Sequence, residues 1–329
     1  MAKKAERLIG MLRAAGDFTR LRVLLLLLDA ELTVSELTQI LGQSQPRVSR
    51  HLKLLCEAGL LERFKEGTWV FYRAADSGEA SALTRTLAGL SEPEGDALLT
   101  SDRRRLTQVR AARARKAAAY FKANAPDWER LRSLHVPERE VEKAILRLLL
   151  GQGKLDSVLD AGTGTGRILE LLAPHIARGV GVDVSPEMLN IARDRLAKAA
   201  PHCQVRLGDV YRLPFPERSF DAVVFHQVLH YLDDPPAVLR EALRVLKPGG
   251  RVLIADFAPH QLEFLRERHA HRRLGFSDRE VKTWLDSAGF KMAATEALAP
   301  RGEEEKLTVM VWLARAPGAF RGKDAGAAS

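Results

Sequence analysis

Three glycines stand at alternate positions in residues 158–166, Val-Leu-Asp-Ala-Gly-Thr-Gly-Thr-Gly, where an apolar run ends. An acidic residue, Asp183, follows seventeen positions after the last of them. Glycines at a strand end let the backbone turn sharply and approach a ligand, and a later carboxylate accepts hydrogen bonds from both hydroxyls of a ribose. The G-x-G-x-G spacing of Gly162, Gly164 and Gly166 departs from the G-x-G-x-x-G of dinucleotide sites, so it predicts a different adenosine ligand.

The elements that must position this loop alternate in type from residue 138 onward. Apolar strands separated by helical stretches are typical of a parallel sheet with helices on both faces. The predicted strands are residues 157–160, 179–183, 204–208, 220–225 and 251–256, with edge strands near 290–297 and 306–314. The predicted fold class is therefore α/β, with a doubly wound seven-stranded sheet.

Five motifs in this half, in order, resemble the Rossmann-like S-adenosylmethionine-dependent methyltransferases, most nearly the ubiquinone and menaquinone methyltransferases. The resemblance runs from about residue 120 to residue 248 and implies S-adenosylmethionine, or its product S-adenosylhomocysteine, as the ligand. After the glycine motif come Gly-Val-Asp-Val-Ser-Pro-Glu-Met-Leu (181–189), Gly-Asp-Val-Tyr-Arg-Leu-Pro-Phe-Pro (208–216), Ser-Phe-Asp-Ala-Val-Val (219–224) and Leu-Arg-Val-Leu-Lys-Pro-Gly-Gly (243–250).

Each part of that ligand has a matching group in these motifs. Asp183 is suited to accept from the ribose diol, and Met188 is suited to pack on the adenine face. Asp209 can accept from the adenine amino group, and the Val210 backbone N–H can donate to a ring nitrogen. Asp160 and the glycine loop suit the amino-acid end. Two other interpretations stay open: Met188 as ordinary helix packing, and Asp183 or Asp209 as cap or turn residues. The predicted ligand-binding residues are Asp160, Gly162, Gly164, Gly166, Asp183, Met188, Asp209 and Val210.

Methyl transfer from a sulfonium depends chiefly on positioning, because the leaving thioether is neutral and weakly basic. A base is needed only where the acceptor arrives protonated. His226 follows the fourth predicted strand, at the sheet edge where ligands of open α/β folds bind, and is the candidate catalytic base. Tyr231 is a candidate substrate contact. Alternatively, the histidines here only line the ligand.

The residue pattern argues against a metal site. His269 and His271 lie in a segment, residues 267–276, that we expect to cap the cleft and select the substrate. Two histidines two positions apart could hold a metal in a strand but not on one helix face, and surface histidines are the preferred interpretation. Arsenic methylation needs several cysteines, and this half contains only Cys203. We therefore expect no metal and no arsenic substrate.

The front of the chain predicts a winged helix-turn-helix. Ser44 is expected to cap a third helix that turns Val48, Leu52 and Leu55 inward and ends at Gly59. A hairpin follows, which supplies the wing. The other predicted helices are residues 17–30 and 33–41, and the wing strands are 60–64 and 68–72, joined by 65–67.

The third helix has a basic face opposite its apolar face, as a recognition helix requires. Polar residues at its start suit base edges, and later basic residues, together with Arg63 and Lys65 of the wing, suit phosphates. The alternative is a winged helix used only for protein contacts. The predicted DNA-binding residues are Gln43, Ser44, Gln45, Arg47, Arg50 and Lys53.

Three segments of this region resemble the ArsR-type family of bacterial dimeric winged-helix repressors. They are Asp-Phe-Thr-Arg-Leu-Arg-Val-Leu (17–24), Gln-Ser-Gln-Pro-Arg-Val-Ser-Arg-His-Leu (43–52) and Glu-Ala-Gly-Leu-Leu (57–61). The resemblance covers residues 5–75 and implies binding of double-stranded DNA as a homodimer. Family members often hold thiophilic metals with cysteines, and here Thr33 and Ser35 occupy those positions. Hydroxyls are poor ligands for soft ions, so the metal site is not carried over.

The net charge of +9 is unevenly distributed. Residues 1–123 carry 21 basic and 14 acidic side chains, which favours contact of this part with a polyanion, although a merely soluble basic surface is the alternative. A predicted helix over residues 102–123 is rich in alanine and arginine. It is interpreted either as a DNA contact or as a solvated helix between domains.

The length of 329 residues allows two cores. We predict a DNA-binding domain (1–90), a basic helical linker (91–137), a methyltransferase domain (138–315) and a disordered tail (316–329). A continuously apolar stretch such as residues 23–28 is far shorter than the roughly 20 residues that cross a bilayer, so a cytoplasmic protein with no membrane contact is expected.

Two hypotheses of function remain. One is a transcriptional regulator, of the repressor type, that senses S-adenosylmethionine or S-adenosylhomocysteine. The other is an active small-molecule methyltransferase whose winged helix controls its own pathway. The sequence does not distinguish turnover from sensing.

Overall fold

The computed structural model describes residues 2–66, 68–75, 78–91, 96–125, 138–300 and 307–318. The chain divides into two compact units, Met1–Lys116 and Ala117–Ser329. This division after residue 116 differs from the predicted domain boundaries, which lie at residues 90 and 137. The long basic helix expected as a separate linker contributes residues to both units. Most of the predicted tail, residues 319–329, lies outside the described residues.

The first unit is a winged helix-turn-helix, as predicted. Its strands form an antiparallel sheet in the order β1-β3-β2, with Leu32 opposite Tyr72 and Leu61 opposite Ala74. The strands are β1 (Leu32–Thr33), β2 (Leu61–Glu66) and β3 (Trp69–Ala74). The helices are α1 (Ala2–Ala15), which the sequence analysis did not predict, α2 (Phe18–Asp29), α3 (Val34–Leu41), α4 (Gln45–Glu57), α5 (Gly78–Leu90) and α6 (Ala97–Asn124), whose first part lies in this unit.

Local signals set the ends of the helices in this unit. The Asp17 side chain accepts a hydrogen bond from the Arg20 N–H at the start of α2, and Thr33 and Glu36 form a capping box at the start of α3. Gly42 ends α3 in a left-handed conformation. Ser44 occupies the N-cap position of α4, but its side chain makes no cap hydrogen bond, and Pro46 begins the helix instead. The Ser44 hydroxyl therefore stays available to a ligand.

Helix α6 is packed along one face against α2 and α3. Leu99, Leu106 and Val109 recur at helical spacing and are buried. Asp102, on the same face, forms a buried ion pair with Arg22 of α2 at 2.6 and 2.7 Å. The interpretation of this helix as solvated is therefore wrong for its first part, because one face of that part is buried against the rest of the first unit.

Three further arginines of α6 contact the helices next to it. Arg105 donates to the Ile40 carbonyl at 2.8 Å, Arg113 pairs with Glu36, and Arg110 donates to the Asp29 carbonyl. The two ends of α3 are thus held by Arg105 and Arg113. Exposed basic residues remain on the outer side of the helix: Arg103, Arg104, Arg115 and Lys116.

The second unit contains the predicted seven-stranded sheet, in the order β6-β5-β4-β7-β8-β10-β9, with β10 antiparallel to its neighbours. Its strands are β4 (Ser157–Ala161), β5 (Arg178–Asp183), β6 (Cys203–Leu207), β7 (Phe220–His226), β8 (Leu246–Phe257), β9 (Lys291–Leu298) and β10 (Val309–Arg315). The helices are α7 (Glu138–Leu150), α8 (Arg167–Leu172), α9 (Pro186–Ala199), α10 (Pro235–Val245), α11 (Phe264–Arg268) and α12 (Asp278–Ala288).

Apolar residues fill both faces of this sheet. Val158 of β4 belongs to the cluster beneath α7 and α8, whereas Leu159 belongs to the opposite cluster beneath α10 and α12. Burial on both faces explains why the central strands are continuously apolar. Because β4, β5, β6 and β7 run parallel, their carboxyl ends meet at one edge, where the predicted site residues follow. Within the described residues, no helix combines the length and apolar character needed to cross a bilayer.

Candidate functional site

The glycine loop after β4 has the backbone that its sequence requires. The φ angles of Gly162, Gly164 and Gly166 are +81°, +51° and +80°, in the left-handed region that favours glycine. A Cβ on Gly162 would lie 2.5 Å from Val228 Cγ2, so no larger residue fits there without displacement. The N–H groups of Gly162 and Thr163 both donate to the Val182 carbonyl, which holds the loop over β5.

Two of the predicted carboxylates brace this loop. Asp160 is 1% exposed and accepts a hydrogen bond from the Thr163 hydroxyl at 2.7 Å. Asp183, at the end of the neighbouring strand, accepts from the Gly164 N–H at 2.8 Å and from the Ser185 N–H at 2.9 Å. The structure therefore brings Asp160, the loop and Asp183 together, and it gives both carboxylates a structural role beyond the predicted contact with ligand.

Asp183 remains a strong acceptor for further donors. Burial raises the pKa of Asp183 above its usual value, although the N–H groups of Ser185, Gly164 and Val184 lower it in part. An ionised carboxylate in such a place is incompletely compensated, so additional hydroxyl donors stabilise it. A ribose diol supplies two such donors.

The other predicted ligand residues lie on the two elements that follow. Asp209 comes after β6, is exposed, and accepts from the Tyr211 N–H at 2.9 Å. Met188 and Val210 are buried. Both interpretations of Met188, adenine contact and helix packing, are compatible with this position.

Two apolar residues at the same edge were missed in the sequence. Val184 and Leu207 follow or end β5 and β6 and are 56% and 60% exposed. An exposed apolar pair beside Asp183 and Asp209 provides a surface on which a flat ring can pack. The available signal was their position, directly after Asp183 and directly before Gly208.

The histidines after β7 have different surroundings. His226, the candidate base, is the last residue of β7 and is buried. His230 lies in the following 3₁₀ turn, and its Nδ1 lies 2.7 Å from Oδ1 of Asp256, near the end of β8. The backbone N–H of His230 also donates to the other carboxylate oxygen of Asp256, Oδ2, at 3.3 Å. Sequence reasoning missed this pair because its members are 26 residues apart and meet only through the sheet.

Aromatic rings surround His230. The rings of Tyr231, His271 and Phe257 have centroids 4.1, 4.2 and 4.9 Å from that of His230. The Tyr231 ring in turn contacts Phe121, at 4.8 Å, in the last part of α6. Burial raises the pKa of Tyr231 well above its usual value, so its hydroxyl stays protonated.

The segment before α12, residues 267–276, contributes His269 and His271 to the same cluster. Nδ1 of His269 lies 2.7 Å from the Tyr120 hydroxyl, and burial raises the pKa of Tyr120 to about 12. His271 stacks near Phe257 rather than facing solvent, so the interpretation of it as a surface histidine is wrong. In the part of the chain that the structure describes, no group of three metal-ligating side chains occurs.

The predicted DNA-binding residues lie on or just before α4. Ser44, Gln45, Arg47, Arg50 and Lys53 are exposed, while Val48, Leu52 and Leu55 are fully buried. Gln43 instead donates from its side-chain amide to the Thr19 hydroxyl of α2 at 3.2 Å. The exposed set lies outside the apolar face by which α4 packs on the core.

Thr33 and Ser35, at the positions where ArsR-type relatives carry metal-binding cysteines, serve other purposes. The Thr33 hydroxyl is engaged in the capping box of α3, at 3.3 Å from the Glu36 N–H. Ser35 is exposed.

Known families match both units. Residues 17–63 match the family model for the bacterial regulatory protein, arsR family, and residues 159–254 match the family model for a methyltransferase domain. These matches agree with the two resemblances read from the motifs.

Relatives of the second unit include several methyltransferases. An uncharacterized methyltransferase of Schizosaccharomyces pombe is 43% identical over 108 residues, covering 30% of this chain and 39% of the relative. The demethylmenaquinone methyltransferase of Thermotoga maritima is 39% identical over 150 residues, covering 45% and 60%. The arsenite methyltransferase of Halobacterium salinarum is 33% identical over 158 residues, covering 45% and 40%. The chain thus spans less than two thirds of each relative's length.

Among solved structures, an N-methyltransferase of Bradyrhizobium japonicum in complex with S-adenosylhomocysteine is 24% identical, with a TM-score of 0.46. The match covers 55% of this chain and 87% of that one. The two family matches, with the folds that contain them, show that the chain combines an ArsR-family helix-turn-helix domain with a methyltransferase domain.

Proposed function

We propose that the chain is a transcriptional regulator, of the repressor type, whose methyltransferase domain binds S-adenosylmethionine or S-adenosylhomocysteine and thereby changes the affinity for DNA. The observation that carries the proposal is helix α6. It supplies packed contacts to the DNA-reading unit with one part and to the ligand-binding unit with the other.

The contacts within the first unit concern the helix that precedes the recognition helix. Arg105 and Arg113 hold the two ends of α3, and the Arg22–Asp102 pair is buried beneath them. In helix-turn-helix proteins the first helix crosses the DNA backbone and orients the second. A change in α6 therefore reaches the surface that reads DNA.

The contacts within the second unit concern the ligand site. Tyr120 bonds to His269, and Phe121 packs on Tyr231, which in turn contacts His230. Binding in this unit that shifts either contact biases the last part of α6. Coupling of this kind is reciprocal, because the ligand changes DNA affinity by the factor by which DNA changes ligand affinity.

The residues of the second unit fit the ligand. Asp183 would accept from the ribose hydroxyls, Val184 and Leu207 would pack on adenine, and Asp209 would accept from its amino group. The glycine loop beside Asp160 would receive the amino-acid end of the ligand. When bound, S-adenosylmethionine supplies an electrophilic methyl group, and S-adenosylhomocysteine does not.

DNA is the expected partner of the first unit, bound by a homodimer. The outer face of α1 exposes Leu8, Ile9 and Leu12, an apolar surface suited to a second copy of the chain. Two recognition helices in one dimer would read half-sites about one helical turn apart.

Binding to promoter DNA of the chain's own gene tests the proposal. Fluorescence anisotropy should show a dissociation constant that changes when S-adenosylhomocysteine or S-adenosylmethionine is added. Asp160→Ala and Asp183→Ala should still bind DNA but lose this response. Equal affinity with and without both ligands would contradict the proposal.

A second function, methyl transfer to a small molecule, is favoured by the His230–Asp256 pair. A domain that only senses its ligand does not need a histidine oriented by a buried carboxylate. Incubating the protein with a lysate and a methyl-deuterated donor tests this function. Labelled small-molecule products indicate turnover, and their absence leaves sensing alone.

A further inference from the structure

Two buried polar atoms after β7 have no hydrogen-bond partner among the residues that the structure describes: Nε2 of His230 and Nε2 of Gln227. His230 is 1% exposed. An unpaired buried donor or acceptor destabilises the folded protein. Such atoms mark places where a ligand supplies the missing partner.

The backbone of Gln227 gives a second, independent indication. Its φ is +56°, in the left-handed region, although Gln227 carries a side chain. Its N–H donates to the Ala255 carbonyl of β8 at 2.7 Å, which holds the residue in this conformation. Strain of this kind is concentrated at functional sites.

Asp256 determines which nitrogen of His230 carries the proton. A carboxylate only accepts, so Nδ1 must donate to Asp256 Oδ1 across 2.7 Å. The Phe257 N–H donates to the same carboxylate oxygen at 2.8 Å and keeps it in place. Nε2 therefore presents a lone pair, and Asp256 is positioned to stabilise the imidazolium that forms when Nε2 takes a proton.

We infer that His230 is the base that takes a proton from the methyl acceptor, that Asp256 positions it, and that the acceptor is an aromatic hydroxyl compound. This inference rests on the second proposed function, turnover. A hydroxyl can donate to His230 Nε2 and accept from the Gln227 amide, whereas the nitrogen of an aromatic amine accepts poorly because its lone pair is delocalised into the ring. The rings of Tyr231, His271 and Phe257 around His230 suit a flat aromatic acceptor.

The step balances with a sulfonium methyl donor as the second reactant. The hydroxyl proton moves to His230 Nε2 while the oxygen forms a bond to the methyl carbon. The bond from that carbon to sulfur breaks, and its electron pair stays on sulfur as a neutral thioether. The imidazolium, paired with Asp256, then releases its proton to water.

Nitrogen-15 NMR of the full chain tests the orientation of His230 without any acceptor. The wild-type protein should show a protonated Nδ1 and an unprotonated Nε2 for His230. Asp256→Asn should reverse the two, because the Asn amide can donate to Nδ1. A protonated Nε2 in the neutral wild-type ring would overturn the inference.

Kinetics with a matched pair of probes test the base and the acceptor class. With S-adenosylmethionine, 7-hydroxy-4-methylcoumarin should be methylated and 7-amino-4-methylcoumarin should not. His230→Gln and Asp256→Asn should each lower the rate by about 100-fold or more, and His175→Gln, an exposed control, should not. Methylation of the amine alone, or of neither probe, would overturn the assignment of an aromatic hydroxyl acceptor. A 100-fold loss of rate in His226→Gln but not in His230→Gln would overturn the assignment of His230 as the base.

Calorimetry with S-adenosylhomocysteine separates this failure from failure of the proposed function. Retained binding by His230→Gln and Asp256→Asn shows that both variants fold and hold the ligand, so that a lost rate reports the base. No binding by the wild-type protein instead contradicts the proposed function itself.

Discussion

The two units treat charge in opposite ways. The DNA-reading unit exposes the cations predicted to contact DNA, Arg47, Arg50 and Lys53, and pairs its buried Arg22 with Asp102. The methyltransferase unit instead buries two carboxylates to which we assign roles in ligand binding and catalysis, Asp160 and Asp256, at 1% and 0% exposure. A polyanion approaches a surface, whereas a small ligand must replace water inside the fold. We therefore propose that the buried Arg22–Asp102 pair is structural, whereas Asp160 and Asp256 of the second unit also serve its ligand and its chemistry.

The largest expected effect comes from removing one partner of the buried Arg22–Asp102 ion pair in the first unit. Asp102→Ala leaves Arg22 buried without its carboxylate and should lower the free energy of opening of α2 by about 3 to 5 kcal/mol. Hydrogen exchange measured by mass spectrometry over α2 and the first part of α6 reports this change.

The control for that experiment replaces both charges. Arg22→Met with Asp102→Leu should recover most of the lost stability, because an apolar pair needs no compensation. Loss of less than about 1 kcal/mol in Asp102→Ala would contradict the structural role of the pair.

Substitutions on the exposed surface of α4 should change the affinity for DNA rather than the stability of the fold. Arg47→Ala should weaken binding to the preferred operator by about 1 to 3 kcal/mol and relax specificity, because a bidentate base contact is lost. Arg85→Ala, at an exposed position of α5, is the matched control. Equal losses on specific and random DNA would place Arg47 on phosphates instead.

A substitution in the glycine loop tests the role of the second unit in ligand binding. Gly162→Ala should weaken S-adenosylhomocysteine binding about 10-fold, or about 1.4 kcal/mol, because the added Cβ would lie 2.5 Å from Val228 Cγ2 and displace the loop. Gly249→Ala is the control, because it has a φ of +73° but nothing within 4 Å of the added Cβ. Calorimetry should show unchanged affinity for Gly249→Ala, and equal losses in both variants would contradict a specific role for the loop.

The smallest effect concerns a charged residue that only stabilises the second unit. Burial raises the pKa of Glu280, but Arg273 and hydrogen bonds from Ser277 outweigh it, and the pKa lies below its usual value. A lowered pKa in the folded state stabilises the protein above the unfolded pKa, and this stability is lost as pH falls through the folded pKa. In urea unfolding, the difference between wild type and Glu280→Gln should be constant near neutrality and shrink below about pH 4. A difference that grows with acid would contradict this assignment.

Local patterns were sufficient to predict much of the fold. The glycines at 162, 164 and 166, the apolar face of α4 and the alternation of strands and helices are set by neighbours in sequence, and the structure matches them. Helix α1 was missed, although Leu8, Met11, Leu12 and Ala15 recur along it at helical spacing.

What could not be predicted depends on contacts between distant residues. The His230–Asp256 pair forms only where β7 lies beside β8. The packed face of α6 depends on Asp102, which in sequence looks like one more charge in a charged helix. Gln43 has the position of a DNA contact, yet its amide bonds to Thr19, 24 residues earlier.

The most direct test of coupling between the two units is a reciprocal titration of the full chain. Operator affinity is measured with and without S-adenosylhomocysteine, and S-adenosylhomocysteine affinity with and without operator DNA. The account predicts that both change by the same factor, of about 5-fold or more. Two affinities that are each unaffected by the other ligand would contradict it.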